Sequence, residues 1–170
     1  MWYNDADKPL RHYFSGLTEQ TFMADLGVAD PPLIDYLSTL LSRFVHIDTI
    51  YRLRSGAGQR LVEVADMLME AEAVPPQGRT SREMHRHIGD FTLFWTGVYP
   101  DILKNLRTSI CKDQFLNYCE QGKRSYWIAS TFEDEPFQEE SPVLRRLSER
   151  FELCAYGLTK VREEWARKPH

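Results

Sequence analysis

His87 and Asp90 stand three residues apart in RTSREMHRHIGDFTLFWTGVYP, residues 79–100. On a helix that spacing puts an imidazole and a carboxylate on one face. In such a pair the carboxylate fixes the tautomer of a histidine that serves as general base or metal ligand. It also fits a purely structural couple, because a buried charge without a partner is very costly. Both readings stay open on the residues alone. His87 and Asp90 are the candidate catalytic groups.

A second polar set follows in CEQGKRSYWIAS, residues 119–130. GKRS has the look of a phosphate loop, but the upstream glycine is missing and no strand precedes it. Glu120 and Arg124 make an i,i+4 pair, and Lys123 is solvated. If this helix meets the first near Gly89, Arg124 brings a cation to Asp90. Arg124, Ser125 and Tyr126 then form a candidate site for a small anionic ligand. His87 would shuttle a proton there, Asp90 would orient it, and the apolar segment 13–26 would close over the site as a lid.

Other chemistries find less to work with. The chain has neither Glu-x-x-His nor His-Glu-x-x-His. Glu19, His46, Asp48, Glu63 and Asp66 converge only in an assumed fold. No metal and no cofactor are expected. No Ser/His/Asp or Cys/His nucleophile arrangement is supported by spacing. Arg82 and His87, with four residues between them, form a pair that resembles the motif of the HEPN nucleases, helical bundles that place it on a helix. The resemblance spans a turn and a half. About one such match arises by chance in a chain of this composition, so no family assignment rests on it.

The elements that must hold these groups are helical. Leu33, Leu37, Leu40, Phe44, Ile47 and Tyr51 step by three and four. So do Leu144, Leu147, Phe151, Cys154, Leu158, Val161 and Trp165. Leu61, Val64, Ala65, Leu68 and Met69 mark another helix, and Phe115, Cys119, Tyr126 and Ala129 a fourth. The stretch 81–99 is apolar nearly all round from Ile88 onward, which places it in the middle of a bundle. Pro100 ends or kinks it, and Asp101 can cap a short continuation through Leu106. Asp30–Pro31, Thr80 with Glu83, and Ser141–Pro142 read as helix starts. Gly27 closes a short helix begun near Thr18. Gly89 and Gly97 share one face and match Gly122, Ser125 and Ala129, so the two helices are expected to meet closely there. No segment alternates with period two long enough for a strand. The expectation is all-α: an up-and-down bundle of about five main helices in a single domain over 1–170, with a short N-terminal helix as lid and 1–12 as a loose arm.

Composition fits a globular chain. The 170 residues carry a formal net charge of -4 and a pI of about 5.7, which gives no general attraction to nucleic acid. Cys111, Cys119 and Cys154 lack a CxxC and are expected to be reduced thiols. The N-terminus does not read as a signal peptide, and no run is apolar enough to span a membrane. The expected location is cytoplasmic, with no nucleic-acid or membrane partner.

The leading functional expectation is interaction with a protein partner or self-association: an adaptor, a regulator or an oligomer subunit. Trp2, Tyr3, Trp165 and the a/d stripe of the final helix support it. The alternative is the binding or enzymatic site for a small anionic ligand inside the bundle.

Overall fold

The structure is a computed structural model that describes residues 8–51, 57–100 and 113–167; side chains at 8, 10, 45–51, 57–63, 65 and 113–117 are outside that description. The described residues hold seven α-helices and no strand. They are α1 (Lys8–Glu19), α2 (Pro31–Tyr51), α3 (Ala57–Ala73), α4 (Arg79–Val98), α5 (Asp113–Ser130), α6 (Ser141–Glu149) and α7 (Phe151–Arg167). A π-helical segment, Gln20–Asp25, extends α1. Trp2, Tyr3, the continuation at 101–106, Cys111 and the side chains of His46, Asp48 and Glu63 lie outside the described residues.

The α4 helix is the centre because its sequence leaves it no wet face over its last three turns. Phe94 is 0% exposed and Trp95 3%. Its broadest contact is with α5, and it also packs on α7, α3 and α2. Gly89 makes the α4–α5 approach feasible: a Cβ there would lie 2.6–2.8 Å from three ring atoms of Tyr126. Gly122 does the same from the other side, against Phe151 and Thr92. Gly97, expected at the same seam, faces Leu158 and Ala155 of α7 instead.

Asp30 caps α2 as its type suggests, accepting the Leu33 N–H on Oδ1 at 3.3 Å. It also holds Arg146 of α6 (Nε to Oδ2, 2.6 Å). Gly27 takes a φ of 67°, the left-handed turn a glycine tolerates best. The other two starts differ from expectation. The N-cap of α4 is Gly78, without a side-chain cap. Thr80 does not close a box, because Glu83 is drawn to Arg82 and Arg86. Ser141 is inside α6, and its hydroxyl donates to the carbonyls of Phe132 and Phe137, closing the preceding loop.

The final helix is two helices. The chain breaks at Arg150 (φ -113°, ψ 29°), and the stripe from Leu144 to Val161 runs through the break into the core. Every one of those six side chains is buried, so the stripe is spent within the molecule and offers no seam to another helix. At the other end, α1 begins at Lys8, within the stretch read as an arm. It packs on α2 and α7. Phe14, Leu17 and Phe22 are buried, with the Phe22 ring in the space left by Gly157 and Trp165 edge-on to Phe14.

Candidate functional site

Asp90 is 1% exposed and lies on α4 where the helix turns fully inward. Its Oδ1 accepts two phenols, Tyr36 at 2.6 Å and Tyr126 at 2.7 Å. Its Oδ2 meets Arg43 Nη2 at 2.5 Å. Tyr36 and Arg43 are seven residues apart on α2, two turns on one face. Tyr126 comes from α5. Burial first, and then the Asp90 charge, push both phenols well above their ordinary range. They therefore remain protonated donors at neutral pH. Three donors from two helices thus fix one carboxylate, and the carboxylate in turn fixes Tyr36 and Arg43.

A pocket of about 200 Å³ opens on this cluster. Asp35, Tyr36, Thr39 and Arg43 of α2 form one wall; Arg86 and Asp90 of α4 form the other, with Val143 of α6 beside them. Arg86 pairs with Glu140 (Nε to Oε1, 2.5 Å) and more loosely with Glu83. Burial works against its charge, but the oxygens of Tyr36, Asp90, Glu140 and Glu83 outweigh that, and its pKa is raised. Each guanidinium has five N–H groups. Asp90 has most of its acceptor capacity occupied. What the pocket still offers is hydrogen-bond donation from two cations, beside the carboxylate of Asp35 and the hydroxyl of Thr39.

Of the residues singled out in the sequence, Asp90 lies at the hub of this cluster, bonded to Tyr36, Arg43 and Tyr126. Among the described residues, none of the hydrogen bonds to Asp90 comes from His87. That ring is exposed and stacks on Phe44 at 5.9 Å. Desolvation first, then Arg43 and Arg86, lower its pKa against the opposing pull of Asp90. The cation at Asp90 is Arg43, not Arg124. Arg124 is exposed, and its charge falls on His85. Ser125 is buried; it accepts from Gln121 at 2.9 Å and lies 3.3 Å from His85 Nδ1. Of the three ligand candidates on α5, Tyr126 alone joins the Asp90 cluster. Its neighbours are turned about 100° per residue around the helix. The lining of this pocket includes no residue of 13–26.

Arg82 and His87 likewise meet different neighbours. Arg82 is 2% exposed, with its guanidinium carbon 4.0 Å from the centre of the Phe137 ring. It pairs with Glu83 at 2.5 Å. Among the described residues no group of three His, Cys, Asp or Glu side chains is placed to hold a metal. No helix among them is long and apolar enough to cross a membrane. Comparisons with protein-family models, curated proteins and solved structures return no match.

Sequence reading missed Tyr36 and Arg43. Their signal was present: both border the apolar stripe of α2, two turns apart, where a phenol and a cation flank Leu37 and Leu40.

Proposed function

We propose that this chain is a helical binding protein for a small anionic ligand, a carboxylate or a phosphate, held in the pocket between α2 and α4. One observation carries the reading: Arg43 and Arg86 line the same pocket, and the first is braced on the buried Asp90. Charged donors fixed before binding lose little freedom when a ligand arrives. Asp90, Tyr36 and Tyr126 are positioning residues in this reading. The finer architecture belongs to the proposal too: α1 and the π-helical segment cap the α2–α7 side of an up-and-down bundle. Titration of the isotope-labelled protein with inorganic phosphate and with citrate tests it. Saturable amide shifts around residues 36–43 and 86–90, lost in both Arg43→Ala and Arg86→Ala, support the site. Absence of saturable shifts with either anion ends the reading.

A second reading, a protein partner or self-association, rests on Trp127 and Tyr156. These aromatics are 53% and 52% exposed on α5 and α7, where exposed aromatic surface often marks interfaces. Sedimentation velocity over a hundredfold concentration range tests self-association. A single monomer boundary throughout, unchanged in Trp127→Ser, removes it.

A further inference from the structure

Asp35 and Thr39 lie one turn apart on α2 and line two depressions at once. One is the pocket of Arg43 and Arg86. The other is a larger groove of about 510 Å³ between α1 and α2, where Arg11, His12, Ser15, Ser38 and Ser42 join them. Two shared wall residues make these adjacent chambers over one ridge of α2.

The chambers differ in chemistry. The first presents the cationic donors of Arg43 and Arg86 beside the shared Asp35 and Thr39. In the second, Ser38 and Ser42 direct their hydroxyl hydrogens to carbonyls of their own helix, at 3.1 and 3.0 Å. Each leaves its oxygen lone pairs as acceptors. Asp35 adds a carboxylate at the ridge, able to accept two neighbouring hydroxyls. Arg11 and His12 add donors from α1. A surface that alternates acceptors and donors suits groups that both give and take a hydrogen bond, which hydroxyls do.

We propose that the ligand is a polyol bearing one anionic group, in chemical class a sugar phosphate or a sugar acid. Its anion sits between Arg43 and Arg86. Its hydroxyls cross Asp35 and Thr39 into the groove against Ser38 and Ser42. This inference rests on the anionic-ligand reading above and adds a second subsite to it.

Calorimetric titration of the whole chain with inorganic phosphate, glucose 6-phosphate, acetate, gluconate and glucose separates the two claims. At least one sugar anion is expected to bind about tenfold or more tighter than its bare anion, a gain of about 1.4 kcal/mol. Ser38→Ala and Ser42→Ala, which line the groove and not the anion pocket, are expected to bring that ratio within about twofold. Inorganic phosphate itself should bind these variants as it binds the parent. Equal affinity for sugar anions and bare anions in the parent overturns the second subsite and leaves the anion pocket standing. So does a preference that survives both substitutions. Absence of binding by all five probes overturns both.

Discussion

Tyr126 donates its hydroxyl to Asp90 across 36 positions of sequence, at 2.7 Å and out of reach of solvent. The same carboxylate oxygen takes Tyr36. Removing one partner from such a cluster differs from removing its hub. Tyr126→Phe leaves Asp90 with Tyr36 and Arg43 and is expected to cost about 1 kcal/mol. Asp90→Ala leaves the buried Tyr126 hydroxyl and the partly buried Tyr36 without their acceptor, and is expected to cost about 3 kcal/mol. The double variant should cost clearly less than the sum, because both substitutions remove one interaction. Urea midpoints of the four proteins measure this. Additive costs would mean that the bond contributes nothing to the fold.

Glycines divide by what stands where a side chain would be. At Gly89 a Cβ meets the Tyr126 ring at 2.6–2.8 Å, whereas at Gly16 it meets nothing within 4 Å. Alanine returns about 1 kcal/mol of helix propensity at either site. Overpacking costs about 1–3 kcal/mol and arises only at Gly89. Gly16→Ala is expected to raise the midpoint and Gly89→Ala to lower it. The Gly89 variant should also weaken any anion binding, since the displaced ring is the one that braces Asp90. Thermal melts of the pair check the opposite signs.

The centre of the fold was legible because α4 has no polar side after Ile88, and only burial satisfies such a helix. The site was legible in half. Asp90 stood out as a carboxylate entering an apolar run, but its partners come from α2 and α5, and sequence spacing speaks only within one helix. Local patterns also competed with neighbouring charges on the same helix. Thr80 and Glu83 form a good capping box on paper, yet Arg82 and Arg86 take the glutamate. The break at Arg150 carries neither glycine nor proline, and the apolar period continues across it. The stripe therefore read as one long helix with a face to spare.

His85 gives the stability a pH dependence of known sign. Burial first, and then Arg124, lower its pKa from 6.5, with Glu72 opposing. The folded state therefore disfavours the protonated ring relative to the unfolded chain. Its contribution is full above about 6.5 and is lost as the pH falls through the lower folded value. His87 shifts in the same direction. The urea midpoint is expected to fall between pH 7 and pH 5, and His85→Gln should make that fall shallower. A variant with the same slope as the parent would remove His85 as a source of the loss.

Cys154 is sealed from solvent inside α7, where burial first pushes its thiol up to about 12. Cys119 on α5 is also buried; desolvation and then Glu152 raise its thiol. Both effects act on the same quantity, because alkylation requires an exposed thiolate. In native buffer at pH 8, iodoacetamide should label both residues at least about a hundredfold more slowly than it labels a short peptide thiol, whose pKa is near 8.5. In urea the two should label at the peptide rate. Peptide mapping reads each cysteine separately, so Cys111 does not confuse the result. The packing variants sharpen the prediction. Gly122→Ala forces the Phe151 ring and Thr92 to move, which loosens the α5–α7 contact around both thiols. Labelling of Cys119 should then accelerate before the fold is lost, at urea concentrations where far-ultraviolet ellipticity is still native. If Cys119 and Cys154 instead become reactive only together with global unfolding in that variant, α5 and α7 separate as one cooperative unit.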